Sequence, residues 1–343
     1  MSTRQPRMRR CPWADAGRLS LILAVAVAGA TAVRGPAVAA PAAVVKVGSL
    51  GVTSDVAIFI AMEKGLAAEE GLQVEFQRFG SGAKVVAPLA TGELDVGSGT
   101  AAAGLYNAIA GGMDYKIVAD KGQFRPGHEY VTLVVRKDLL DSGAVKSPAD
   151  LRGRKVSTMT GRGVISQYIL GKILEHVQLP WNAVETVDLA PPNQFKALVA
   201  KSVDAIVTAE PFGAKSEVEG VGKRIFMAQR VKALERLQIA VIQYSGKFMT
   251  QRRETAKRFM NAYVKGIRFY NERGGKSDEV VAILTKHLRV NPEDVRISTP
   301  FYLDPSGRPD VESLAAQQDW YHQMGWIKQK VAMERVVDLS FLQ

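Results

Sequence analysis

Apolar and polar positions fall into short runs with two different periods. Residues 72–79 (LQVEFQRF) alternate apolar with polar, the period-two pattern of a half-buried strand. Residues 46–66 (KVGSLGVTSDVAIFIAMEKGL) change period part-way. A short strand at Val47 gives way to a turn of Gly, Ser and Thr, then to a helical face of Ala57, Ile58, Ile60, Ala61 and Met62. Thr53, Ser54 and Asp55 are helix N-cap residue types, and Gly65 suits the helix end. Gly80-Ser81-Gly82 opens a second helix from Ala83, with Val85, Val86 and Leu89 on one face. Asp95-Val96-Gly97 then predicts a very short strand, Ser98-Gly99-Thr100 a third turn, 101–110 a helix and 116–119 a further strand. Three strand-to-helix turns in close succession predict βαβαβ topology, a parallel sheet and a crevice at the strand ends. Helix N-termini at such a crevice offer N–H donors to an anion or a polar small molecule.

Residues 121–128 (KGQFRPGH) read as a loop, and 130–136 as a strand leading out of this lobe. A second series begins at Lys155. Shifting the first series by 109 residues lays it on the second without gaps: 46–47 on 155–156, the turn 49–54 on 158–163, and 89–95 on 198–204. The element order agrees as well: strand, turn, helix over 164–177, strand over 184–189, turn at Pro191-Pro192-Asn193, helix, and a short strand over 204–207. Asp95 and Asp204 each follow a helix and begin a strand, which suits them to bond turn N–H groups rather than to catalyse. Residues 236–244 form a strand able to return to the first lobe and, with 130–136, to make a two-strand hinge. Beyond Thr250 the pattern is helical over 251–272, 277–287, from Pro292, and 311–324. Trp320, Tyr321 and Trp326 there read as packing residues. The expectation is two α/β lobes, 44–130 with 240–343 and its C-terminal helices, and 131–239.

Composition alters this picture little. At 343 residues and 47% hydrophobic, the chain is long enough for two lobes with sizeable cores. Net charge is +11; residues 1–40 hold six Arg and one Asp, which leaves +6 for the remainder. That balance mildly favours anionic partners. The basic residues are spread, without a helix-turn-helix, zinc-finger or RNP pattern, so no nucleic acid is expected. Residues 1–39 read as a cleaved export signal: basic MSTRQPRMRR, an apolar run over 19–32, and Ala37-Val38-Ala39 as cleavage pattern. The alternative is a retained anchor. Cys11, the single cysteine, precedes that run, so the processed chain is expected to lack disulfides and thiolate sites. His128, His176, His287 and His322 are dispersed, with no triad or metal-ligand spacing, and neither metal nor cofactor is expected.

Five segments together resemble the periplasmic solute-binding proteins of ABC importers, in the nitrate, sulfonate, taurine and thiamine-precursor group. They are SDVAIFIAMEKGLAAEEGLQVEF at 54–76, LATGELDVGSG at 89–99, LVVRKDL at 133–139, DLRGRKV at 150–156 and VDAIVTAEP at 203–211. The resemblance runs over essentially all of the chain beyond the export signal. It implies the type II two-lobed periplasmic binding protein fold, each lobe a mostly parallel sheet flanked by helices, with a hinge of two crossing strands. It implies a periplasmic monomer, not an enzyme, that traps an anionic or zwitterionic organic solute such as a sulfonate, taurine, an aromatic acid or a pyrimidine. The closed form would dock on a membrane permease with its ATPase. By resemblance the site takes Thr53, Ser54 and Asp55, then Ser81, Gly82 and Ala83, then Ser98, Gly99 and Thr100. Across the cleft it takes Thr160, Gly161, Arg162, Gly163 and Glu210.

Four charged residues leave alternatives open. Arg162, between two glycines, either clamps a carboxylate, sulfonate or phosphate in bidentate fashion or faces solvent. Arg125, before the hinge, poses the same choice. Asp55 either rejects anions and binds an amine or caps the helix behind it. Glu210 either faces the cleft or hydrogen-bonds the hinge. Two rival functions remain. One is an enzyme of the same fold, of thiamine-pyrimidine or menaquinone type, with His128 as the residue to watch. The other is the effector half of a transcription regulator, which requires an attached DNA-binding domain.

Overall fold

The computed structural model describes residues 41–342 apart from Ser81, Phe226, Ala228 and Gln229, so the export signal expected over 1–39 lies outside the described residues. Strand β1 (Ala43–Ser49) pairs in parallel with β2 (Leu72–Arg78) and with β3 (Val96–Gly99). The chain then runs through β4 (Tyr115–Phe124) and crosses to a second sheet. There it forms β5 (Val131–Arg136), β6 (Lys155–Thr158), β7 (Glu185–Asp188), β8 (Ala205–Ala209) and β9 (Gly222–Ile225). It returns to the first sheet as β10 (Leu237–Ser245). The strand orders are β2-β1-β3-β10-β4 and β7-β6-β8-β5-β9. In each sheet the fourth strand is antiparallel to both neighbours; in the second it is β5, the first strand of that sheet in the chain, and in the first it is β10, which returns after the whole second sheet.

The correspondence between the two halves is physical as well as sequential. The Asp95 carboxylate accepts from the Lys46 backbone N–H at 2.9 Å, and the Asp204 carboxylate accepts from the Lys155 N–H at the same distance. Each aspartate ties the start of one short strand to its parallel neighbour. Without that partner, an N–H at the sheet end would be left unpaired. Strands 131–136 and 237–245 each belong to a single sheet, so the crossings are the segments leading into them, from Phe124 to Val131 and from Ile225 to Leu237.

Strand β4 departs from expectation. The pattern ends the strand at 119 and makes 121–128 a loop, but the ladder with β10 continues to Phe124. Asp120, Lys121 and Gln123 are buried there. The Asp120 carboxylate accepts from the backbone N–H groups of Gly122 and Asp304 and from the Gln238 amide at 2.7–2.9 Å. Polar side chains matched this way occupy a buried strand at the sheet edge that composition alone reads as a loop.

Helices Arg253–Arg273 and Asp278–Leu288 cover Val56–Glu63 of the first lobe. Helix Pro292–Ile297 packs on Phe212–Val218 of the second lobe, and Val311–Gln323 packs on both Ala103–Ala110 and Ile165–His176. A Cβ at Gly171 would lie 2.1 Å from the Trp320 indole, so only glycine allows this approach. Trp320 is 2% exposed, and its Nε1 donates to Glu175 at 2.6 Å. Trp181, Trp320 and Trp326 meet edge to face with centroids 5.1–6.0 Å apart. These aromatics join the two lobes by packing.

Candidate functional site

Parallel strands in an open α/β sheet leave their binding crevice at the carboxyl ends. Both sheets here turn those ends toward a common cavity of about 360 Å³. The turn after β1 contributes Leu50, Val52, Thr53 and Ser54; the end of β3 contributes Ser98, Gly99 and Thr100. The turn after β6 contributes Met159, Thr160, Gly161 and Arg162 from the second lobe. Lys121 of β4, and Ile239, Ala240 and Gln243 of β10, line it as well. The volume lies within the range of roughly 300–1,000 Å³ that small-molecule sites occupy.

Beneath the cavity lies a buried ion pair. Lys121 is 1% exposed, and its Nζ sits 2.9 Å from an Asp55 carboxylate oxygen that is itself fully buried. The Asp55 carboxylate also accepts from the hydroxyls of Ser49 and Ser98 at 2.6–2.9 Å and from the Val52 backbone N–H at 2.9 Å. These donors come from the ends of β1 and β3 and from the turn between β1 and the helix Val56–Glu63. One carboxylate therefore organises the turn. A buried charge of each sign is tolerable here because each has the other and the carboxylate has a further set of donors.

Several polar groups on the cavity wall have no such partner. Among the described residues, the hydroxyls of Thr53, Ser54, Thr100 and Thr160, the Gln243 amide and the Arg162 guanidinium make no side-chain hydrogen bond or ion pair. Thr53 and Gln243 are each 7% exposed and Ser54 4% exposed, so their polar groups are left to pair with whatever fills the cavity, water or solute.

The sequence profile of the NMT1-like family matches residues 38–285. The chain belongs to the NMT1-like family. This NMT1-like chain is similar to the alkanesulfonate-binding protein SsuA from Xanthomonas axonopodis pv. citri, solved with bound MOPS. That likeness has 18% identity and a TM-score of 0.67, over 88% of this chain and 99% of that one. It is similar also to the periplasmic nitrate-binding protein NrtA from Synechocystis PCC 6803, with 16% identity and a TM-score of 0.71, over 87% and 86%. The desulfurization enzyme DSZB shares the fold at 16% identity and a TM-score of 0.63, over 87% and 97%. No curated protein matches the sequence. The architecture is the type II periplasmic binding protein fold.

In this NMT1-like chain, the expected site residues separate into two groups. Thr53, Ser54, Gly82, Ser98, Gly99, Thr100, Thr160, Gly161 and Arg162 all line the cavity. Ala83 begins the helix Ala83–Thr91 beside Gly82, and Ser81 lies outside the described residues. Asp55 fills neither of the roles open to it: it makes no side-chain cap bond to the helix Val56–Glu63 and does not line the cavity, and its carboxylate instead accepts from the Val52 N–H and pairs with Lys121, organising the turn from behind. Arg125 lies away from the lining: its guanidinium stacks over Tyr302 at 5.1 Å, stands 3.6 Å from the Asp310 carboxylate and donates to the Phe124 carbonyl. Glu210 is buried against the Arg224 guanidinium at 2.6 Å and accepts from the backbone N–H groups of Ala214 and Thr299. It thus ties the end of β8 to the C-terminal segment. Gly163 accepts at its carbonyl from the Ala103 N–H at 3.0 Å, across the cleft, and a Cβ there would stand 2.3 Å from Ala103. Its positive φ of 66° also favours glycine.

Lys121 and Gln243 are the site residues that sequence reasoning passed over. Lys121 fell in the segment read as loop. Gln243 is a lone polar residue in the otherwise apolar stretch IAVIQY, and that isolation is the signal that marks it. His128 lies outside the lining, with Nδ1 3.1 Å from the Pro300 carbonyl. Among the described residues no cluster of His, Cys, Asp and Glu is arranged to hold a metal ion. Tyr130, on the cavity wall, has its hydroxyl pushed well above the usual phenol range by burial, with the Asp120 charge adding to the shift.

Proposed function

We propose that this NMT1-like chain is the extracytoplasmic solute-binding component of an ABC importer. It holds one small organic solute, anionic or zwitterionic, between its lobes and hands it to a membrane permease driven by an ATPase. It acts by binding, without a covalent step. The observation that carries this reading is the cavity of about 360 Å³ between two hinged lobes, walled by polar groups that lack protein partners. Two crossing segments allow the lobes to move as bodies, as in hinged ligand traps. The likeness to SsuA and NrtA supports the same reading.

The test is a thermal-shift and calorimetric screen of the purified protein against alkanesulfonates, taurine, nitrate, aromatic acids and pyrimidines. One class is expected to bind and to be recovered unchanged. Its stabilisation should reach about 2.7 kcal/mol at a hundredfold excess over Kd. Turnover of a probe, or no response to any class, overturns the reading. Fractionation of cells should place the processed protein in the periplasm.

A further inference from the structure

We propose that the solute is an organic monoanion with an apolar body, and that Lys121, held by Asp55, receives its acid group. The inference rests on the solute-binding reading above and narrows its ligand. The first ground is charge. Among the described residues, Lys121 and Arg162 line the cavity and no Asp or Glu does. Asp55 stands behind Lys121, fully buried, with both carboxylate oxygens already accepting from Ser49, Ser98, Val52 or Lys121. An ammonium group on the solute would find no counter-charge, and an unpaired charge in a closed site is strongly disfavoured. Zwitterions are therefore excluded from the range.

The second ground is how much charge the site matches. Lys121 and Asp55 cancel, which leaves the exposed Arg162 as the net positive charge on the wall. One negative charge on the solute balances it; a second would stay unmatched. The Lys121 ammonium has three N–H groups and gives one to Asp55, so two remain for an acid oxygen. Ser54 and Gln243 add neutral donors from the same wall.

The third ground is the rest of the wall. Val85, Leu105, Met159, Ile165 and Ile239 line the cavity beside those polar groups. Its 360 Å³ is the room of about twelve waters. An inorganic anion fills a small part of that and leaves apolar walls wet, whereas an alkyl or aryl body displaces the water.

Calorimetric titration of the purified protein tests this with ethane-, butane- and hexanesulfonate and the matching carboxylates. The controls are 4-aminobutanesulfonate, butane-1,4-disulfonate, nitrate and a pyrimidine. In the head-group series that binds, Kd is expected to tighten about fourfold per added methylene. The amino and disulfonate analogues should bind at least tenfold more weakly than butanesulfonate. Lys121→Met should weaken the monoanion at least tenfold; a purely structural lysine would lower the melting temperature and leave Kd unchanged. If that variant does not fold, the ligand series on the native chain still decides. Equal affinity for the amino analogue and its parent, or a flat series from ethyl to hexyl, overturns the proposal. Binding of the pyrimidine, the amino analogue or nitrate alone overturns it but leaves the solute-binding reading standing. Turnover of a probe, or silence toward every class, removes both.

Discussion

The Lys121–Asp55 pair makes a sharp prediction about stability. At 2.9 Å and an effective dielectric of about 20, the attraction amounts to roughly 6 kcal/mol before desolvation is counted. Lys121→Met removes the cation and leaves Asp55 buried. The carboxylate keeps its donors from Ser49, Ser98 and Val52, which softens the loss. Breaking a buried pair from one side costs about 3–5 kcal/mol, and those donors put the expectation near the lower end. Asp55→Asn in the Lys121→Met background removes the stranded charge. The double variant should regain much of the loss, because neutral pairs of similar shape are often close to native stability. Urea unfolding followed by circular dichroism measures all four members of the cycle, provided the slope of free energy with urea stays constant. A loss under about 1 kcal/mol in Lys121→Met, or a double variant that simply sums the two single losses, would refute the account of a coupled buried pair.

Three further outcomes follow from the structure. Arg162→Ala should weaken an anionic solute by about 1.5–3 kcal/mol while leaving the unliganded protein within about 0.5 kcal/mol of native stability; unchanged affinity removes the guanidinium from the site. Trp320→Ala empties the junction between the lobes and should cost about 3–5 kcal/mol in urea unfolding, so a loss below about 1 kcal/mol would show that the aromatic junction does not hold them. Burial raises the Asp120 carboxyl to about 6 from 3.8, against donors from Gln238, Asp304 and Gly122. A raised carboxyl favours the fold below its unfolded value and loses that contribution as pH climbs through the folded value. The stability of the native chain relative to Asp120→Asn should therefore fall by roughly 2 kcal/mol between pH 4 and pH 7, and a constant difference contradicts the shift.

The βα turns could be read from the chain because their signals are local. Period changes and Gly/Ser/Thr clusters within ten positions of one another marked the turns; that Thr53, Ser54, Gly99, Thr100 and Thr160 share one site was implied by the family resemblance, and all five line the cavity. The repeat was legible for the same reason, since Asp95 and Asp204 meet the same partner 49 residues upstream. What stayed hidden depends on distant partners. Lys121 is interior only because Asp55 lies beside it, and β4 continues past Ala119 only because Gln238 and Asp304 satisfy Asp120. The choice left open for Glu210 was decided by Arg224 and Thr299, the latter 89 residues away. The choice left open for Arg125, between a cleft cation and a solvent-facing one, was likewise settled only by distant partners, Tyr302 and Asp310.

The late return of β10 to the first sheet sets an order of assembly. When residue 225 has been synthesised, every strand of the second sheet exists, but the first sheet still lacks the strand that belongs between β3 and β4. Strand β4 pairs within its sheet with β10 alone, so until Leu237–Ser245 emerges it has no ladder to join. The lobe encoded second is thus the first that can finish, reversing the usual progression from the N-terminus. A chain interrupted between Ile225 and Leu237 would carry a complete second sheet and an open edge on the first, and that edge is where misassembly would begin.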